Sequence, residues 1–399
     1  MLTRRYFIRS SAVAVAGVGL TPSWLLRAAA QDVKKRKILI AIFQRGAADG
    51  LNIVVPFFEK TYYDLRPTIA VPAPADGKPN SAIDLDGRFG LHPSLEPLKP
   101  LWDGKQLAIV EATGSPDPSR SHFDAQDFME AGTPGKALSD GWLNRALPQV
   151  QGASPLRAIA MGAQLPRTLR GAWPAVAVNN LDQFQVHDQN SAGILQAMYA
   201  TTQDSKLMAS GKETFEALKM VESINGAPYT PANGVQYQGD FGKGLQQIAR
   251  LIKAEVGVEA ACADIGSWDH HSNETGQLNG ILQQFGNALA AFVRDMGDRM
   301  EDIVLVTMSE FGRTVKEDGN QGTDHGHGNV MMVLGGPVQG GKIYGKWPGL
   351  EPEQLYENRD LAVTTDFRDV LSELVQKHLG QRNDKVFPGF KPASPLGLL

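Results

Sequence analysis

The residues of this chain with the most chemical capacity are crowded into a few short stretches. Asp324, His325 and His327 fall within TDHGHG, shortly after Ser309 and Glu310. Asp269 precedes the pair His270 and His271 in GSWDHHSN. Four of the eight histidines therefore sit in two tight groups, each beside an aspartate. Histidines two apart cannot share a helix face, but in an extended or turning loop they can point the same way. Carboxylates and neutral imidazoles together form the ligand set that zinc, manganese or iron accept. Clustering carries this signal, since a lone polar loop residue seldom coordinates anything. The candidate ligands are Asp49, Asp269, His271, Glu310, Asp324 and His327.

A second chemistry is written in GSPDPSRSHFDAQ. Prolines and glycine forbid helix until Ser121, where Ser-x-x-Asp reads as a helix start. Ser121 there has two possible jobs. As a cap its hydroxyl accepts a backbone N–H; as a nucleophile it gains from the positive helix end and from a nearby metal. Arg120 beside it could hold an anionic oxygen or be a surface charge.

These loops need rigid elements behind them. Ile303-Val304-Leu305-Val306 precedes Glu310, and residues 38–43 (ILIAIF) precede Asp49; both read as buried strands. Residues 106–111 lead into the serine loop, 258–263 into Asp269, and 330–334 follow the histidine loop. Ligands collect at the carboxyl ends of strands in open α/β sheets, so Asp49 is well placed to reach a site, although Asp-Gly is also a common turn. Residues 278–300 form a long amphipathic helix with Ile281, Phe285, Leu289 and Phe292 on its core side, and 366–379 a closing helix. Strands alternating with helices predict a layered α/β fold. Residues 132–257 read as an insertion or cap over the site, with His187 and Asp188 in its loop.

The N-terminus carries Arg4-Arg5, a short weakly apolar run over 11–20, and Ala28-Ala29-Ala30. That is the form of a cleaved export signal over residues 1–30, and the paired arginines resemble the twin-arginine type, which moves folded proteins to the periplasm or beyond. No stable membrane span is expected after cleavage, and residues 31–399 form one domain. A net charge of −4 provides no broad basic surface for nucleic acid. The single cysteine, Cys262, excludes an internal disulfide and reads as a small buried hydrophobe.

RGAADGLN, GSPDPSRSHFDAQDFMEAG, GSWDHHSN and MSEFGRTVKEDGNQGTDHGHGNVMMVLGG together resemble the exported bacterial family catalogued as domain-of-unknown-function family 1501. That family is similar to the alkaline phosphatase and sulfatase superfamily. The resemblance implies a three-layer α/β/α fold with a largely parallel or mixed central sheet and a helical cap, and one or two divalent ions: zinc first, with calcium, manganese or iron as alternatives. It implies hydrolysis of a small or polymeric anionic phosphate or sulfate ester. Asp49, Asp269, His271, Glu310 and His325 or His327 match the superfamily's ligand positions. Phe311 stands where a histidine ligand is usual, and Pro116 where the nucleophile is. Ser121 is then the nucleophile, with Ser115 in reserve; Arg120 or Arg313 stabilises charge, and His325 or His122 protonates the leaving group. The alternative is a secreted binding or assembly protein with a structural metal.

Overall fold

The structure, a computed structural model, describes residues 36–75, 78–135, 138–150, 153–185, 189–225 and 228–399. The export signal and the His187–Asp188 pair lie outside the described residues.

Strand β1, Ile38–Gln44, is buried along its whole length, as its uninterrupted apolar sequence requires. Its neighbours are β5, Ala260–Ile265, and β6, Ile303–Met308, both parallel to it, with Ile40 opposite Ala261 on one side and Leu305 on the other. Strand β2 is Leu107–Gly114, β3 Ala158–Met161 and β4 Val176–Val178. Strands β7 (Asn329–Gly335), β8 (Lys342–Tyr344) and β9 (Thr365–Asp366) complete the sheet. Its order is β8-β2-β7-β6-β1-β5-β3-β4, with β9 also on β2. Strand β7 runs antiparallel to both its neighbours, and the other pairings are parallel.

Alternation along β1 supplies both faces of the sheet. Ile38, Ile40 and Ile42 enter one core, against Leu245 and Ile248 of a helix over Gly239–Lys253 and Phe285 and Leu289 of a helix over Glu274–Met296. Leu39, Ala41 and Phe43 enter the opposite core with Trp142, Val370, Leu371 and Leu374. Two apolar faces on one sheet demand two helical layers, and the fold is accordingly a three-layer α/β/α sandwich. The helices used below are α1, His122–Ala131, and α2, Phe367–Lys377.

Within residues 132–257, expected as an insertion or cap, β3 pairs with β5 and β4 with β3. Short apolar runs separated by loops resemble an insertion in sequence, yet these runs complete one edge of the main sheet. The helix over Gly239–Lys253 likewise packs in the core. Among the described residues no helix is long and apolar enough to cross a membrane.

Candidate metal centre

Because β1, β2, β5 and β6 point the same way, their carboxyl ends open on one edge of the sheet, and antiparallel β7 begins there. Five connections thus meet: 45–52 after β1, 115–121 leading into α1, 266–273 after β5, 309–314 after β6, and 323–328 before β7. The last two are laced together. Gly312 N–H donates to the His327 carbonyl at 3.0 Å, Gly326 N–H to Gly312 O at 2.8 Å, and Thr314 N–H to Asp324 O at 2.9 Å. Arg313 thereby lies opposite His325. A Cβ on Gly326 would stand 2.3 Å from the Arg313 carbonyl carbon, so only glycine permits the approach.

On this ledge three imidazoles converge. His122 Nε2 and His325 Nε2 are 3.0 Å apart, and His271 Nε2 is 3.1 Å from His325 Nε2. Asp269 joins them: its Oδ1 lies 2.9 Å from His271 Nε2 and 3.3 Å from His325 Nε2, and its Oδ2 3.5 Å from His122 Nε2. The remaining nitrogen of two of the rings is anchored. His122 Nδ1 meets Glu310 Oε1 at 2.8 Å, and His325 Nδ1 meets the Arg120 carbonyl at 3.0 Å. Arg313, fully buried, donates from one NH to Asp269 Oδ1 at 2.8 Å and braces itself on Thr323 through Nε and its other NH.

The charges follow from these contacts. The hydrogen bond to Glu310 raises the His122 pKa, outweighing burial. Burial lowers that of His325, helped by the nearby His122 and Arg313 charges. Burial opposes ionisation of Asp269, but its hydrogen bond to Arg313 and the Arg313 charge hold the carboxyl below its ordinary range. Burial likewise opposes the Glu310 carboxylate, and hydrogen bonds from His122, Gln126 and backbone N–H groups win.

Not every residue expected from sequence reaches the cluster. Asp269, His271 and His325 do, and Asp324 stands beside His271 and His325 in a second group capable of holding an ion. Asp49 does not: both its oxygens are taken by the Arg66 guanidinium. Glu310 is corrected from ligand to anchor, since its Oε1 accepts from Gly46 N, His122 Nδ1 and Gln126 Nε2 and its Oε2 from Ser309 Oγ. His327 stacks on Tyr356 at 4.4 Å between centroids and belongs to neither group. Arg120 pairs its guanidinium with Asp360 and Glu357, and Arg313 pairs its own with Asp269 and Thr323. Ser121 is the N-cap of α1 without a side-chain capping bond. His122, expected only as a proton donor, stands among the ligand candidates; its separation of nearly 150 residues from Asp269 hid this from sequence.

The donor set fits a metal ion. Ligand atoms about 2.0–2.1 Å from a tetrahedral zinc would lie about 3.3 Å apart, close to the separations above. Protons on the anchored Nδ1 atoms of His122 and His325 leave both Nε2 lone pairs facing inward, a tautomer assigned from the hydrogen bonds.

The molecule is thus an α/β/α protein with a histidine- and aspartate-lined site at the strand ends. Its residues 105–386 match the family described as "Protein of unknown function (DUF1501)", and the chain belongs to that family. No curated protein sequence matches it. Among solved structures, it is similar to the PsFucS1 sulfatase from Pseudoalteromonas sp., at 11% identity and a TM-score of 0.37, over 93% of this chain and 75% of that one. A likeness so distant decides neither fold nor activity.

Proposed function

We propose that this protein is an exported, metal-dependent hydrolase of phosphate or sulfate esters with Ser121 as nucleophile. The observation that carries the proposal is the convergence of three imidazole Nε2 atoms and Asp269, led into on one side by a serine at a helix start. His122, Asp269, His271 and His325 would hold the ion, with Asp324 within reach. Bound there, a divalent ion, zinc foremost given imidazole and carboxylate donors, supplies Lewis-acid polarisation of an ester oxygen.

The chain's own residues do the rest. Glu310 and the Arg120 carbonyl fix the rings of His122 and His325, and Arg313 fixes the Asp269 carboxylate. The Ser121 hydroxyl, not spent on capping, gives up its proton to water and its oxygen bonds phosphorus or sulfur as the bond to the ester oxygen breaks. The leaving alkoxide takes a proton from water, and a second water then hydrolyses the serine ester and restores the hydroxyl. The positive end of α1 favours the serine's alkoxide form. Export through the twin-arginine machinery suits a protein that folds around its ligand before leaving the cytoplasm.

One observation favours a second reading. With Arg120 and Arg313 both committed to carboxylates, the site has less to offer an anionic ester, as a binding protein with a structural metal would. Metal-loaded protein is assayed against aryl phosphates and aryl sulfates alongside Ser121→Ala. Turnover abolished in the variant supports the hydrolase. No turnover by metal-loaded wild type sinks it in favour of the binding protein.

A further inference from the structure

Behind the cluster lies a second set of carboxylates and amides. Asp49 ends the turn after β1 and Glu274 opens the long helix; both are sealed from solvent, at 2% and 0% exposure. With Asn52, Tyr62 and Thr323 they line a polar pocket of oxygens at strand and helix ends. Oxygen-rich pockets of this kind are what hard divalent cations take. A positive charge is already there.

The Arg66 guanidinium fills the pocket and uses every N–H it has. Nε donates to the Val315 carbonyl at 2.8 Å; one NH donates to Asp49 Oδ2 and to Asn52 Oδ1, the latter at 2.8 Å; the other donates to Asp49 Oδ1 at 3.1 Å and to the Thr314 carbonyl at 2.8 Å. A guanidinium has five such donors. The oxygens are equally accounted for. Asn52 Nδ2 donates to Glu274 Oε1 at 2.9 Å, Thr323 Oγ donates to Glu274 Oε2 at 2.8 Å, and Tyr62 O–H donates to Asn52 Oδ1 at 2.7 Å. A fully satisfied, permanently charged group in a dry pocket is costly to displace, because its removal strands a buried charge.

We propose that Arg66 is a built-in replacement for a second cation, so that the protein carries a single metal ion, at the His122–Asp269–His271–His325 cluster. The inference rests on the metal-centre reading above and sets its stoichiometry. Thr323 links the two halves: its hydroxyl accepts from Arg313 Nε at 3.1 Å while donating to Glu274, and Arg313 in turn holds Asp269. Arg66 thus supplies fixed charge to a network that ends on a candidate ligand, whatever the metal supply. Chelation empties the cluster and leaves the Asp49 pocket charged and closed.

The test is metal content by native mass spectrometry and elemental analysis on the folded full chain loaded with zinc. Three variants accompany wild type: His325→Ala, Glu274→Gln, and the paired replacement Asp49→Leu with Arg66→Met. Pairing removes both charges together, because Asp49→Leu alone would leave a buried guanidinium uncompensated. Glu274→Gln is the conservative check should the pair fail to fold. The expected result is one ion per wild-type chain, one in Glu274→Gln and in the paired variant, and none in His325→Ala. Two ions in wild type, or an ion lost from Glu274→Gln or the paired variant, overturns the proposal while the metal centre stands. No ion in wild type removes both.

Discussion

His122 and His325 face each other through Nε2 atoms 3.0 Å apart, while the far nitrogen of each ring is bonded to Glu310 and to the Arg120 carbonyl respectively. Two anchored rings presenting lone pairs to one point repel unless something positive lies between them. A proton can serve one such pair. It cannot also satisfy His271, which addresses the same His325 atom. His325→Ala should therefore weaken zinc binding by well over 100-fold, since loss of an outer partner alone costs about 10–100-fold. Competition with a chromophoric chelator measures it; unchanged affinity would remove His325 from the site.

Glu310 tests the outer layer. Glu310→Gln keeps the size and one carbonyl oxygen for the Gly46 N–H but loses the charge that orients His122. Zinc affinity should fall about 10–100-fold with the fold intact. The pH at which zinc is released moves too. The carboxylate raises the His122 pKa, so its loss makes that ring easier to deprotonate, and the acid limb of the zinc-binding profile should shift to lower pH. A variant with wild-type affinity and profile would show that Glu310 only packs.

Acid sensitivity should arise far from the site. Burial pushes His378 down to about 4, and the ring is bonded to the Ile38 carbonyl at the start of β1. Its folded pKa lies below the unfolded value of about 6.5, so below that pH the unfolded chain binds the proton that the native one refuses. Stability is unaffected above about 6.5 and falls between there and about 4, by up to about 3 kcal/mol at 1.36 kcal/mol per pH unit. His92, also held near 4 by burial, adds a loss of the same sign. Urea unfolding of wild type and His378→Gln at pH 7.5 and 5 checks this: the variant should show the smaller difference between the two.

The strands were legible because each is a continuous apolar run, and the stretches that bring Asp269 with His271 and Asp324 with His325 to the sheet edge stood out because each pair is close in sequence beside a strand. Pairings across long separations were not. Nothing near Asp49 shows that Arg66 will take both its oxygens, since that contact depends on a short helix at Lys60–Leu65 turning the chain back. His327, two residues from a ring in the cluster, turns to Tyr356 instead. Glu310 looked like a ligand because it follows a strand; only the arrival of α1 across the sheet edge makes it the anchor of His122. The short apolar runs at 158–160 and 175–178 form β3 and β4, but the sheet they join could not be read without their partner β5.

Gly326 separates the packing of the site from its chemistry. Its backbone passes so close to Arg313 that an added Cβ would meet the carbonyl carbon at 2.3 Å and the Thr314 nitrogen at 2.8 Å. Neither atom belongs to a side chain that could swing aside. Gly326→Ala must push the 323–328 segment off the ledge, which shifts His325 away from His122 and breaks the Gly326-to-Gly312 hydrogen bond. Overpacking of this kind costs about 1–3 kcal/mol. The loss should appear twice: as a lower urea midpoint in metal-free protein, and as weakened zinc binding beyond what that stability loss explains. Gly319, with open space at its Cβ position, provides the control. If Gly326→Ala and Gly319→Ala bind zinc alike and unfold alike, the ledge is not what sets His325 in place.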